Sequence, residues 1–564
     1  MNYLSNIAYK IYQNKRSHLW LCIGLNIVLC TIMMLAYSPI NLDSDSIFHI
    51  NRLVVLIDAI KSGDYPTYID YNSIDGYGYF TKAFYPDFML LPFAILGLFT
   101  DIAFVYKFII FSTTFLCGVT TFVAVKKVYK SSFCAIIASL LYTFSAYKLY
   151  QTFYFSVIQE IITFIFLPIV VWGLYEIIAG NYKKWYILTI GFAAIILTHV
   201  MTFTLVSIIT IVFLLIYCKR FYKEPVRIKF LLISAICCIL ICAYFVFPML
   251  EQMMSNSFYY KDKPLFTSIF FRPSLSNFMS GIINPLSHTD HADYIPRLGG
   301  FFIFFICLRI FIREKSQQIR SIDIMVILGI FLIILNIEYF PWHIFPFNKF
   351  IFIQFPWRLY KYASLFFAIA GGFYISRLII NYNYKIAFTA FLSLLISFMF
   401  ILDSNDYQAM TGQRVKLDST TEKTIKETVT LGGGAEYLPS KMPSQNYPFE
   451  RGVIVTSLNE ETLINNFSKE KGTITADITT NKDVIELPLT YYKGYKATLD
   501  SESISVEQSD NGLVAIPVNK SGHIKVWYTG TTIQKASFII TLISIFSLFV
   551  YLFINTPIIV KNRE

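Results

Sequence analysis

The chain has 564 residues, of which 55% are hydrophobic, 18% aromatic and only 15% charged, with a net charge of +11. Soluble globular proteins carry about 25% charged residues, so this composition excludes an ordinary soluble fold and suits a lipid-embedded chain with aromatic belts at the interfaces. All nine cysteines lie in or at the ends of apolar segments, which excludes a disulfide-stapled outer domain and a cysteine-based zinc site.

Lys10, Lys15 and Arg16 precede an apolar run that ends near Ile40. The run is longer than a signal-peptide core and lacks a small-residue cleavage site, so it predicts a first transmembrane helix with a cytoplasmic N-terminus. The apolar pattern predicts about 12 spans of roughly 20 residues each. They cover 18–40, 102–125, 131–149, 156–178, 185–200, 201–217, 230–250, 299–312, 322–340, 359–378, 386–402 and 535–555. The predicted inner loops hold Lys126, Lys127, Lys130, Lys183, Lys184, Lys219, Arg220, Arg313, Lys315, Lys385 and Arg563. All fall on the side of the N-terminus, as the positive-inside rule requires, so both termini are expected in the cytoplasm. The basic excess serves topology and the anionic inner leaflet; nothing in it points to nucleic acid.

Three large pieces then face outward: loop 41–101, loop 251–298 and segment 403–534. The last is acidic on balance and alternates like strands, for example in Gly472–Ile478, Val484–Leu489, Ser503–Glu507, Leu513–Val518 and His523–Tyr528, with turn residues at Asp510–Gly512 and Lys520–Gly522. The expected architecture is a polytopic α-helical membrane protein of the plasma membrane. Residues 1–402 form its helical domain, 403–534 an extracytoplasmic all-β, sandwich-like domain, and 535–564 a final span with a short cytoplasmic tail.

Loop 41–101 carries the most chemistry. Asp43 and Asp45 stand at the outer end of the first span, and a helix is expected from about Asp45. On it Asp45, His49 and Arg52 sit at i, i+4 and i+7 and share a face. Two carboxylates, an imidazole and a guanidinium at the membrane surface suit transfer of a sugar from a lipid phosphate. A carboxylate can take the acceptor proton, Arg can hold phosphate bidentately, and the pair Asp43 and Asp45 could hold a divalent cation, Mg or Mn. The alternative is a helix cap followed by an ordinary interfacial helix. Further polar residues stand at outer span ends: Glu160, His199, Arg297 and Arg358 are candidate substrate ligands, with Arg358 the best of them for phosphate. The cluster His288–Asp293 is metal-capable but reads as solvated loop, and Gly432–Gly434 lacks the context of a phosphate-binding loop.

The pattern D-x-D-x-x-x-H-x-x-R from Asp43, followed by Gly63-Asp-Tyr-Pro66, Gly76-Tyr-Gly78 and Phe84-Tyr-Pro86, resembles the first outer loop of the YfhO-type bacterial membrane proteins, some labelled 6-pyruvoyl-tetrahydropterin synthase-related. The resemblance continues at Tyr142–Tyr147, Leu197–His199, Gln354–Arg358, Glu436–Pro439 and Leu487–Tyr495. That family is similar to GT-C glycosyltransferases. The resemblance implies catalytic acids in the first outer loop, here Asp43 and Asp45, and a polyprenyl-phosphate sugar donor. The pterin label finds no soluble zinc-binding histidine set in the sequence.

The expected function is therefore a membrane glycosyltransferase that moves a sugar from a lipid-linked donor to a cell-envelope glycopolymer or glycolipid acceptor on the outer face. The rivals are a transporter or flippase of lipid-linked sugars, which should show paired halves or broken helices, and a non-catalytic envelope protein that displays its outer domain.

Overall fold

The computed structural model describes residues 17–80, 84–262, 272–283, 298–428, 436–458 and 461–555. They divide into two compact units. The first comprises the described residues of Met1–His49, Phe99–Leu232 and Phe266–Thr421, and the second those of Ile50–Leu98, Ile233–Leu265 and Glu422–Glu564.

The first unit is a bundle of apolar helices. Its helices at Ile102–Tyr129 and Ser132–Thr143 start where Asp101 and Ser131 accept from the backbone N–H of Phe104 (2.8 Å) and Cys134 (3.2 Å), which satisfies donors that a helix start leaves without partners. The helix Ile158–Ile178 lies so close to Tyr186–Ile196 that a Cβ on Gly173 would come within 2.5 Å of the Leu188 Cα. Small residues at such crossings let backbones approach where lipid supplies no hydrophobic drive between helices. Between Thr143 and Ile158 the chain is broken. A short helix at Ala146–Tyr150 passes into a π-helical turn at Gln151–Phe155, which ends at Ser156 in the left-handed conformation (φ 56°). A two-residue ladder closes the unit, with β1 (Asn41–Leu42) antiparallel to β2 (Val415–Lys416).

Across the described residues, seven helices are long and apolar enough to cross a membrane, or up to eight if the bent pair Val226–Ile241 and Ala243–Ser255, inclined at 74°, is one span. The expected twelve are not reached by this measure. Tyr186–Ile196 has 11 residues, about 16 Å of helix at 1.5 Å per residue, half of a hydrocarbon core of about 30 Å. Phe301–Phe311 and Val200–Ile216 are also short. The helix expected at 386–402 instead occupies Tyr382–Thr411, so the first residues assigned to the outer segment are helical.

The second unit is built on two antiparallel sheets. Its strands are β3 (Thr456–Ser457), β4 (Leu463–Glu470), β5 (Thr473–Thr479), β6 (Asp483–Thr490), β7 (Tyr495–Leu499), β8 (Glu502–Ile504), β9 (Glu507–Gln508), β10 (Leu513–Val518) and β11 (Gly522–Tyr528). One sheet has the order β3-β6-β10-β9 and the other β4-β5-β11-β7-β8. Alternate residues point inward, so Ile474, Ala476 and Ile478 of β5 meet Ile485, Leu487 and Leu489 of β6 in one buried core. Four of the predicted strands therefore exist as β5, β6, β10 and β11, whereas the run Ser503–Glu507 is divided between β8 and β9, which lie in different sheets. Residues from earlier in the chain share this core: Phe80 packs edge-on against Tyr492 (5.2 Å), and Phe84 stacks on Tyr437 (4.4 Å). Gln252, in the helix Ala243–Ser255, exchanges hydrogen bonds with the backbone of Lys493, donating at 2.9 Å and accepting at 3.1 Å. The final helix Thr532–Asn555 follows β11 directly.

A topology test follows from the charge pattern. With the exposed Cys218 and Cys307 replaced by Ser, Ser503→Cys is expected to react with an impermeant thiol reagent in intact cells and Gln317→Cys only after lysis. Both positions are solvent-exposed. The opposite labelling pattern would refute the expected orientation.

Candidate functional site

The segment after the first helix is held firmly. The Asn41 N–H donates to the Tyr407 hydroxyl at 2.6 Å and the Asn41 amide to Thr411 at 2.9 Å. The Tyr37 hydroxyl donates to the Asp403 carboxylate, and its ring stacks on Phe153 at 3.9 Å. Asp43 then opens the helix Ser44–Lys61, its carbonyl accepting from the Ile47 N–H at 3.0 Å. The half-buried Asp43 carboxylate lies 3.6 Å from the Arg414 guanidinium, which also donates to the Tyr154 carbonyl at 2.9 Å. Asp45, two residues further, is exposed, whereas His49 is buried.

Arg52 belongs to the second unit. It is buried, donates to the carbonyls of Tyr85 (2.9 Å) and Pro86 (3.3 Å), and lies 5.0 Å over the Tyr85 ring. Burial pulls its guanidinium below the ordinary value, to about 10, which still leaves it charged at neutral pH. The helix is buried on most sides from Ile50 onward, so Arg52 does not present a solvent face with Asp45 as the spacing predicted.

A second group of the first unit forms around Glu160, in the first turn of Ile158–Ile178. Its Oε1 lies 3.0 Å from the Lys361 Nζ and 3.3 Å from the Tyr147 hydroxyl, which accepts from the Gln151 amide at 2.9 Å. Lys361 also donates to Thr163 (3.0 Å) and Thr202 (3.1 Å). The Thr202 Oγ1 is 2.8 Å from the His199 Nδ1, and that nitrogen accepts the Thr202 N–H at 3.3 Å. An accepting Nδ1 assigns the ring proton to Nε2. Arg358 is half-buried, donates to the Ile353 carbonyl at 2.9 Å and packs over Phe355. Its charge, with that of Lys361, acts on Glu160. Three residues singled out separately in sequence, Glu160, His199 and Arg358, thus form one constellation.

The broken segment links the two groups. Gln151 at the head of the π-helical turn reaches Tyr147 and hence Glu160, while Tyr154 within it holds Arg414 and hence Asp43. π-helical turns recur where a helix must re-aim side chains at functional positions. Lys361, Arg414, Tyr147 and Gln151 join these groups without having been singled out by the sequence pattern. Lys361 stands inside the predicted span 359–378, and a lysine at membrane depth is itself a functional signal. Buried Lys148, which donates to Thr114 at 2.8 Å, carried the same signal. Arg414 had none, because only the fold brings it beside Asp43. Arg297 and the cluster His288–Asp293 lie outside the described residues. Among the described residues no three His, Cys, Asp or Glu side chains gather as a metal site. Asp43 is engaged by Arg414 and Asp45 is exposed; a small divalent cation held by one or two carboxylates completes its shell with waters and substrate phosphates.

Removing one partner of a buried ion pair costs about 3–5 kcal/mol, because the other charge is stranded, whereas replacing both is far milder. Glu160→Gln and Lys361→Met are each expected to lower the melting temperature of the purified protein markedly, and the double variant to regain most of the loss. Strict additivity of the two losses would deny the pair.

No family model matches the chain. A protein of Lactococcus lactis subsp. cremoris (strain MG1363), described as uncharacterized, is 22% identical over 592 residues, spanning 94% of this chain and 95% of its own. The crystal structure of the Archaeoglobus fulgidus oligosaccharyltransferase in the apo form aligns with a TM-score of 0.39 at 12% identity, over 77% of this chain. The same enzyme tethered with an acceptor peptide containing the NVT sequon via a disulfide bond aligns with a TM-score of 0.41 at 11% identity, over 75% of this chain. These alignments span 62% and 61% of the oligosaccharyltransferase chain.

Proposed function

We propose that the protein is a GT-C-like membrane glycosyltransferase that moves a sugar from a polyprenyl-phosphate donor to a cell-envelope glycopolymer or glycolipid on the outer face of the plasma membrane. The observation that carries this reading is the constellation of the charged Glu160, Lys361 and Arg358 with the His199 imidazole inside an apolar unit, joined through one broken helix to Asp43 and Arg414. Ionisable groups are expensive in such surroundings and mark substrate sites. The YfhO-type motifs in the sequence support the same assignment.

In this reading Asp43 is the general base. It takes the proton of the acceptor hydroxyl as that oxygen bonds to the anomeric carbon and the bond from that carbon to the donor phosphate oxygen breaks. Arg414 orients the Asp43 carboxylate. Arg358, the less buried cation of the second group, holds the leaving phosphate, whose charge grows as the bond breaks. His199 offers its Nε2–H to the donor, and Glu160 with Lys361 fixes the frame around it. Asp45 stands by as a solvent-facing acid of the helix start. No step is routed through a divalent cation.

The test separates the two acids. Asn caps a helix about as well as Asp, so Asp43→Asn spares the helix but removes the base. Transfer from a polyprenyl-phosphate sugar is expected to fall by about 10²–10⁴-fold with normal accumulation in the membrane, while Asp45→Asn stays within a few-fold of the native rate. Near-native transfer by both variants would sink the catalytic role.

Two discontinuities favour a second reading. The bend of 74° at Cys242 and the break between Thr143 and Ile158 are discontinuities of the kind that transporters place at binding sites. A flippase would move fluorescent lipid-linked sugar across proteoliposomes with no acceptor present, and that activity would survive Asp43→Asn.

A further inference from the structure

The second unit contains a cavity of about 580 Å³, within the range of small-ligand sites. It is walled by the helix Ser44–Lys61 through Asp58, by the stretch 64–72, by the turn between β4 and β5, by the end of β11 and by the head of the final apolar helix. Three tyrosines line it, and each is held. Tyr68 meets Phe80 edge-on at 5.7 Å. Tyr71 bonds Tyr495 through the two hydroxyls at 3.1 Å and lies against Gly472, where any Cβ would collide with its ring. The Tyr528 hydroxyl accepts from the Gln534 amide at 2.8 Å.

The charges decide what class of ligand fits. Asp58, Asp64 and Asp70 line it together with Lys471 and Lys535; Lys471 is already committed to Asp64 at 2.8 Å, and the Asp70 carboxylate accepts from the Ser73 hydroxyl and, at 2.9 Å, from the Asn72 N–H. With carboxylates in excess, a phosphate or another anionic headgroup is repelled. Carboxylates and amides accept and donate hydrogen bonds to hydroxyls, and the negative faces of tyrosine rings attract the weakly positive C–H groups of a sugar ring. Phe538, in the second turn of the apolar helix Thr532–Asn555, gives the cavity an apolar foot beside the membrane-entering segment.

We propose that this cavity binds an uncharged saccharide and, resting on the transferase reading above, that it is the acceptor subsite. Two sources share that chemistry, the head of a neutral glycolipid and a free oligosaccharide. The apolar foot favours the glycolipid.

The experiment uses the full chain in nanodiscs and measures binding without any donor, so it does not depend on transfer. The probes are nanodiscs containing diglucosyl diacylglycerol, nanodiscs containing phosphatidylglycerol, and soluble gentiobiose. Hydrogen exchange is read over 64–72 and 528–538. Protection by diglucosyl diacylglycerol is expected, with at least tenfold weaker protection by gentiobiose and none from phosphatidylglycerol. Asp58→Asn and, separately, Tyr68→Leu should each weaken saccharide binding at least tenfold at an unchanged melting temperature. A variant that melts early is replaced by Phe538→Ala, at the apolar foot, which should weaken protection by diglucosyl diacylglycerol at least tenfold. Protection by phosphatidylglycerol alone, no protection by either saccharide probe, or equal binding by native protein and the folded Asp58→Asn variant overturns the proposal. If saccharide binds as expected while Asp43→Asn transfers normally, the cavity stands and the assignment of Asp43 falls.

Discussion

An ammonium and a carboxylate stand inside the first unit at 3.0 Å from each other, both almost wholly removed from solvent. Neither is tolerable there alone, since an uncompensated charge in apolar surroundings costs several kcal/mol or more. The pair imposes conditions on what surrounds it. Lys361 needs further acceptors and takes Thr163 and Thr202; Glu160 needs a further donor and takes Tyr147; Tyr147 in turn is fixed by Gln151. The helix carrying Tyr147 and Gln151 does not run straight through but breaks into a π-helical turn. Its Tyr154 carbonyl is thereby offered to Arg414, which reaches Asp43. One buried ion pair thus accounts for much of the polar geometry of the unit.

The second unit answers a different constraint. A sandwich of two small sheets has limited apolar area of its own, and here segments from three parts of the chain complete it. Phe80 and Phe84 come from the stretch after the first long loop helix, Phe258 from the stretch after the bent helix pair, and the strands from the C-terminal third. Reciprocal hydrogen bonds between Gln252 and the Lys493 backbone, and the ion pair of Glu251 with Lys493 at 3.4 Å, fasten that assembly on its helical side. The stretches around Phe80 and Phe258 are therefore structural parts of this unit, and the cavity proposed to hold saccharide forms where the stretch 64–72 packs beside β11 and the head of the last helix.

Much was legible in the chain by itself. Composition and apolar run length dictate membrane helices, because the bilayer core demands about 20 apolar residues per crossing and nothing else in the sequence satisfies that demand so simply. Period-two alternation and turn residues located β5, β6, β10 and β11, since a strand buried on one face has to alternate. Glu160, His199 and Arg358 could be singled out because ionisable residues near apolar runs are costly and so conspicuous. Local signals failed where length and partnership are set by the tertiary structure. The helix Tyr186–Ile196 is apolar enough to suggest a span, yet the backbone turns after 11 residues. Lys361 read as one residue of an apolar span, Arg414 as one of many charges in an outer segment, and Arg52 as a partner of Asp45. Which cation meets which carboxylate depends on contacts between residues hundreds of positions apart, as in Arg414 with Asp43 and Lys361 with Glu160. Only the packed chain brings them together, because charge pairing is decided by distance in space and by the desolvation that packing imposes, neither of which is written in local sequence.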